Sequence, residues 1–183
     1  MRIITGTLKG RRIEVPDNLD IRPTSDRTKE GMFSVLAARR YFERLHVLDL
    51  FAGSGNLGFE ALSRGAETVL FVDNSAEHIR HIEKTAVRFG VDEQCKTAAL
   101  PVETFLDGTS RLFDLIFCDP PYDHYLIPEL PGRILDEGWL EPDGWFLLEH
   151  DKRHRFDGHP KCVFSKSYGR TIVSIFQHQP VDF

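Results

Sequence analysis

The stretch His46–Asp73, HVLDLFAGSGNLGFEALSRGAETVLFVD, decides how the rest of the chain is read. Val47-Leu48-Asp49-Leu50-Phe51 is a short apolar run broken by one carboxylate, the pattern of a buried strand. Gly53-Ser54-Gly55 follows as a turn in which backbone can lie against a ligand without interference from a Cβ. Leu57, Ala61 and Leu62 form a helical stripe, and Gly65 is placed to end that helix. Val69-Leu70-Phe71-Val72 reads as a second buried strand, with Asp73 at its carboxyl end. Such a βαβ unit is a nucleotide site: helix N–H groups face the ligand, and an acid about 20 residues downstream bonds the ribose hydroxyls. Gly53-x-Gly55-x-x-Gly58 also satisfies the dinucleotide pattern, and Asp73 is suitably spaced for the ribose of NAD. This stretch alone leaves the choice of adenosine cofactor open.

Working outward, the elements alternate. Arg2–Thr5 and Arg12–Val15 read as two short strands of a hairpin turned through Gly6 to Gly10 and closed by Pro16. A helix is expected from Ser25 or Asp26 to about Arg40, with Met32, Phe33, Leu36 and Ala37 as its apolar stripe. Asn74 followed by Glu77 resembles a capping box for a helix ending before Gly90. A weak strand at Cys95–Ala99 and a short helix at Val102–Leu106 follow. Leu112–Cys118 is a strong strand running into Asp119-Pro120-Pro121-Tyr122. A helix from about Ile127 to Glu137, a strand at Trp145–Glu149 and a terminal hairpin about Tyr168-Gly169 complete the chain. This alternation predicts a parallel sheet with helices on both faces and an antiparallel hairpin at one edge. Asp49, Asp73 and Asp119 all fall at or near strand carboxyl ends, where such sheets bind ligands.

Bulk properties narrow the classes. The 183 residues suffice for one domain with a sizeable core, and no run of 18 apolar residues offers a transmembrane helix. The opening MRIITGTLKGRR lacks the apolar segment of a secretory signal. Three widely spaced cysteines suit reduced thiols of a cytoplasmic protein better than disulfides or a zinc site. His78 and His81 read as a solvated helix face, and no metal is implied. The net charge of −5 is unevenly spread: residues 1–40 carry +4 and residues 41–183 carry −9. A basic arm on an acidic body fits a phosphate-binding footprint.

Asp119-Pro120-Pro121-Tyr122 carries the chemistry. Two prolines after a buried strand remove two donors and stiffen the backbone. The Pro120 carbonyl and the Asp119 carboxylate then form a pair of acceptors suited to an NH₂ group, and Tyr122 adds a ring on which a base can stack. Hydrogen bonds from both N–H groups keep the amine lone pair on nitrogen and stabilise positive charge developing there. A dehydrogenase has no use for such a clamp.

Together, Asp49-Leu-Phe-Ala-Gly-Ser-Gly55, Phe71-Val-Asp73 and Asp119-Pro-Pro-Tyr122 resemble the S-adenosylmethionine-dependent amino methyltransferases. More closely, the chain resembles the RsmD-type enzymes that modify guanine N2 in 16S rRNA. That likeness rests on Arg2-Ile-Ile-x-Gly6, Lys9-Gly-Arg-Arg12, Arg22-Pro-Thr-Ser-Asp-Arg27, Leu57–Ala66 and Tyr168-Gly169. The resemblance implies an α/β fold, a Rossmann-like seven-stranded class I methyltransferase sheet, mostly parallel with the last strand antiparallel. Residues 1–20 would be a small basic N-terminal β-hairpin extension and 21–183 the methyltransferase domain. It places Phe51, Ala52, Gly53, Ser54 and Gly55 against the methionine part of S-adenosyl-L-methionine, with Asp49 meeting its amino group. Asp73 would bond the ribose, Asn74 would lie by the adenine, and Arg22 and Thr24 would close over the carboxylate end. Asp119, Pro120, Pro121 and Tyr122 would hold the target amine, and Arg2, Lys9, Arg11 and Arg12 would grip RNA phosphates. Where many relatives carry an acidic or amide residue for the adenine, this chain has Ala98-Ala99-Leu100-Pro101-Val102, leaving backbone groups near Leu100 or a weaker grip.

The implied partner is 16S rRNA within a small-subunit assembly intermediate, met by a cytoplasmic monomer without membrane or metal. A DNA adenine or cytosine methyltransferase would use the same clamp but usually carries a separate target-recognition region. A release-factor glutamine methyltransferase usually has Asn where this chain has Asp119. A non-catalytic RNA-binding relic and an NAD enzyme are the remaining alternatives.

Overall fold

The computed structural model describes residues 1–15, 26–38 and 42–179. Helix α1 (Asp26–Ala37) leads into strand β1 (His46–Leu50), α2 (Asn56–Ser63), β2 (Thr68–Asp73), α3 (Ala76–Phe89) and β3 (Cys95–Ala99). Then come α4 (Val102–Leu106), β4 (Phe113–Cys118), α5 (Leu130–Asp136), β5 (Leu140–His150), β6 (Cys162–Tyr168) and β7 (Thr171–Phe176). The strands form one sheet in the order β3-β2-β1-β4-β5-β7-β6. Strands β1 to β5 pair in parallel, and β7 runs antiparallel to both β5 and β6. This is the expected Rossmann-like seven-stranded architecture. The chain winds outward from β1 toward β3 on one side and from β4 toward β5 on the other, so the strand order reverses between β1 and β4.

Alternation along the strands builds two cores. Val47, Val69, Phe71, Leu115 and Phe117 pack on the face covered by α1, α2 and α3. Leu48, Leu50, Val72, Ile116 and Leu148 pack on the face covered by α4 and α5. The central strands are buried on both faces, hence their continuous apolar runs. Register sets the position of the acids: Leu50 stands level with Val72 on one side and Cys118 on the other. Phe51, Asp73 and Asp119 therefore come next on three adjacent strands, at one rim.

The N-terminal segment departs from two full strands. A single antiparallel bridge, Arg2 to Arg12, joins its arms. The Ile3 N–H donates to the Arg11 carbonyl at 2.9 Å and the Ile13 N–H to the Met1 carbonyl at 2.9 Å. The ladder stops because the amides of Ile4 and Thr5 donate instead to the Glu60 carboxylate of α2, at 2.8 and 3.1 Å. Ile3, Leu8 and Ile13 are buried in the core beneath the first three helices.

Three more elements differ from expectation. Helix α5 begins at Leu130 rather than Ile127, because Pro131 has no N–H to give the Ile127 carbonyl and fits only a first turn. Strand β5 reaches back to Leu140 through a bulge, with Leu140 opposite Phe113 and Trp145 opposite Leu115. Helix α3 is capped by Ser75, whose hydroxyl accepts from the His78 N–H, rather than by Asn74.

Candidate active site

The rim between β1, β2 and β4 opens into a cavity of about 450 Å³, within the range of ligand sites. Asp49, Phe51, Ala52, Gly53, Ser54, Asp73 and Asn74 line it from one side, and Asp119, Pro120, Pro121 and Tyr122 from the other. The glycine-rich turn and the tetrapeptide, 64 residues apart between Gly55 and Asp119, thus share one wall-to-wall space. Gly55 lies behind the surface as the N-cap of α2. Its φ is +76°, and a Cβ there would sit 2.9 Å from the Phe59 ring. Leu100 packs against the core beneath α4 and is not among the lining residues. Arg22 and Thr24 lie outside the described residues.

Asp49 has a structural task that its place in an apolar run did not disclose. Gly55 offers no side chain to cap α2. The Asp49 carboxylate takes that role from the adjoining strand, its Oδ2 accepting the Gly58 N–H at 2.9 Å. Asp49 is 2% exposed, and burial holds its pKa well above the ordinary 3.8. The Gly58 bond opposes that shift, while the neighbouring charges of Asp119 and Asp73 reinforce it.

Asp73 is equally occupied. Its Oδ2 accepts the Gly53 N–H at 2.8 Å, and its Oδ1 accepts the Ser75 N–H at 2.9 Å. His78 Nδ1 lies 3.0 Å from the same Oδ1, and the ring is part of the cavity wall rather than a solvated helix face.

Met1 and Asn56 also line the cavity and carried no motif signal. Met1 reaches the wall from the N-terminal segment, where Ser54 Oγ lies 3.4 Å from its sulfur. Asn56 is 4% exposed; its Oδ1 accepts from the buried Lys29 Nζ at 2.8 Å, and its Nδ2 has no partner among the described residues. Phe51 holds a left-handed φ of 56°, a strained conformation that turns the chain out of β1, and its ring meets His124 edge-on at 4.8 Å. Tyr122 is fixed at two points: its hydroxyl is hydrogen-bonded to Thr171 of β7, and its carbonyl lies 3.4 Å from His154 Nε2. Arg2, Lys9, Arg11 and Arg12 are all exposed, outside the cavity. Arg11 is partly committed, donating to the Arg88 carbonyl at the end of α3 at 3.2 Å.

Charge distinguishes the cofactors. None of the described residues lining the cavity is a lysine or arginine, while Asp49, Asp73, Asp119 and Asp123 all are part of its wall. The amides of Gly53 and Gly58, which the dinucleotide pattern would offer to a pyrophosphate, are already bonded to carboxylates. The space suits a cation better than a diphosphate.

The family described as conserved hypothetical protein 95 matches residues 1–177. A Haemophilus influenzae protein named ribosomal RNA small subunit methyltransferase D is 34% identical over 83% of this chain and 79% of its own length. YlbH of Bacillus subtilis, provisionally named an rRNA methyltransferase, is 33% identical over 97% of this chain and 98% of its own. Among solved structures, a hypothetical protein of Thermus thermophilus superposes with a TM-score of 0.81 at 31% identity, over 97% of this chain and 99% of that one. The chain belongs to the conserved hypothetical protein 95 family, the RsmD type of methyltransferase.

Proposed function

We propose that the protein transfers the methyl group of S-adenosyl-L-methionine to the exocyclic N2 amine of a guanine in 16S rRNA. One observation carries the reading: Asp119-Pro120-Pro121-Tyr122 opens into the same cavity as the glycine-rich turn and Asp73. The names of the relatives, rRNA methyltransferases, support the substrate class.

The cavity wall fits the cofactor. Its carboxylates complement a sulfonium and an ammonium, Asp73 offers a carboxylate for a ribose diol, and Asn56 Nδ2 is a buried donor in want of an acceptor such as a carboxylate. When bound, the cofactor supplies an electrophilic methyl carbon on sulfur. Asp119 and the Pro120 carbonyl would accept the two N–H bonds of the amine and keep its lone pair on nitrogen. The Asp119 carboxylate would stabilise the positive charge developing on that nitrogen, whose surplus proton would pass to water afterwards. Fixed by Thr171 and His154, Tyr122 offers a wall for the base that does not have to be ordered during binding. A guanine reaching this depth must be turned out of its stack. Lys9 and Arg12, exposed on the N-terminal segment, would hold neighbouring phosphates.

The test is methylation of 16S rRNA, naked and in assembly intermediates, with labelled cofactor, followed by mapping of the modified base. Asp119→Ala is expected to reduce transfer at least ~100-fold, on the order of the loss of one oxyanion-hole donor, with folding and binding of S-adenosylhomocysteine retained. Full activity in that variant would rule out the clamp.

A further inference from the structure

We infer that His78 is a second ribose-binding residue, completing a contact that Asp73 cannot make alone; this rests on the S-adenosylmethionine reading above. A carboxylate has about four lone-pair positions, two on each oxygen. In Asp73, Oδ1 is filled by the Ser75 N–H and by His78 Nδ1, and Oδ2 already accepts the Gly53 N–H. One acceptor position remains, on Oδ2. A ribose presents two adjacent hydroxyls, so one of them needs another partner.

His78 supplies it. His78 lines the cavity together with Asp73 and Asn74, and its side chain is 18% exposed. In the tautomer that donates Nδ1–H to the carboxylate, Nε2 is a bare acceptor. No described residue bonds that nitrogen. The imidazole is held in place at both ends of its residue: Nδ1 by Asp73, and the backbone N–H by Ser75 Oγ at 3.2 Å. Asp73 and His78 thus form a composite acceptor pair, with one carboxylate lone pair and one imidazole lone pair for two hydroxyls. Chain order explains the arrangement. His78 lies five residues after Asp73, at the third position of α3, where the first turn of the helix brings it back over the strand end.

Isothermal titration with S-adenosylhomocysteine and its 2′-deoxy and 3′-deoxy analogues tests the assignment without any need for turnover. In the wild type, each analogue is expected to bind about tenfold more weakly than the parent, the loss of one hydrogen bond. In His78→Phe the parent is expected to weaken by a similar factor, and one analogue should then bind as tightly as the parent while the other keeps its full penalty. Both penalties persisting in the variant would exclude His78 from the ribose. Both vanishing would make it only a positioning residue for Asp73, and would equally overturn the claim. His78→Asn, carried in parallel, covers the case in which the larger ring disturbs the fold, which thermal melts would reveal. A wild-type protein that binds none of the three ligands would sink the cofactor reading itself, and this inference with it.

Discussion

Asp49 serves two purposes with one side chain. As an acid inside an apolar strand, it lines the cavity at the end of β1; as the cap of α2, it also explains how a helix with glycine at its N-cap is anchored. Its raised pKa has a definite consequence for stability. The folded state holds the Asp49 proton more tightly than the unfolded chain does, so stability is lost as pH rises from about 3.8 through the folded-state value. Asp49→Asn keeps an acceptor for Gly58 and removes that cost. The variant is expected to melt higher than the parent at alkaline pH, by about 2–4 °C per kcal/mol regained, with the gap closing as the medium is acidified. Cofactor affinity should fall in the same variant. A melting difference that does not change with pH would count against this account of Asp49. His78 and Asn56 were not legible in the same way, because histidine or asparagine on a helix face has many uses, and only the strand ends determine which of them meets a cavity.

Helix α2 is the element most of the molecule leans on. All eight of its residues are buried, and the fully buried Glu60 on it accepts from the Ile4 and Thr5 amides and from Arg64 Nε at 2.9 Å. Lys29 Nζ stands 3.2 Å from Glu60 and also donates to the Arg2 carbonyl at 2.6 Å. Through this one carboxylate the N-terminal segment, α1 and α2 are joined. Glu60→Gln leaves a buried ammonium without its counter-ion, and a loss of about 3–5 kcal/mol is expected, seen as a fall in melting temperature of about 10 °C. Lys29→Met added to it should recover part of that loss; no recovery would mean that the ion pair is not the source. Nothing in the spacing of Lys29 and Glu60 announces such a pair, since they meet only through tertiary packing. The strands, by contrast, were readable because burial on both faces writes itself as an apolar run. Of β5, the apolar run Trp145–Glu149 was legible and its start at Leu140 was not, because Pro142 and Gly144 interrupt the apolar pattern.

For the molecule as a whole, the uneven charge is the property that bears on RNA. A net charge of −5 opposes a polyanion, yet Lys9 and Arg12 stand exposed on a segment anchored to α2. Replacing both with serine is expected to weaken rRNA binding and reduce the salt slope of log K by about two, one for each phosphate no longer neutralised, with affinity for S-adenosylhomocysteine unchanged. An unaltered slope would take this segment out of the RNA footprint. Arg11 is left out of the pair because its loss would also strip a donor from the last turn of α3.

The strand order has a further result for behaviour in solution. It puts β3 at one end of the sheet and β6 at the other, the two places where a second chain could add a strand. Strand β3 is only five residues long and has exposed Lys96 near its middle, while β6 exposes Ser165-Lys166-Ser167. Two copies meeting edge to edge would have to desolvate these lysines within the growing ladder, often against each other. The lysines that sit at the ends of the sheet therefore act as a barrier to polymerisation, in a protein whose centre is otherwise a run of strands apolar enough to aggregate.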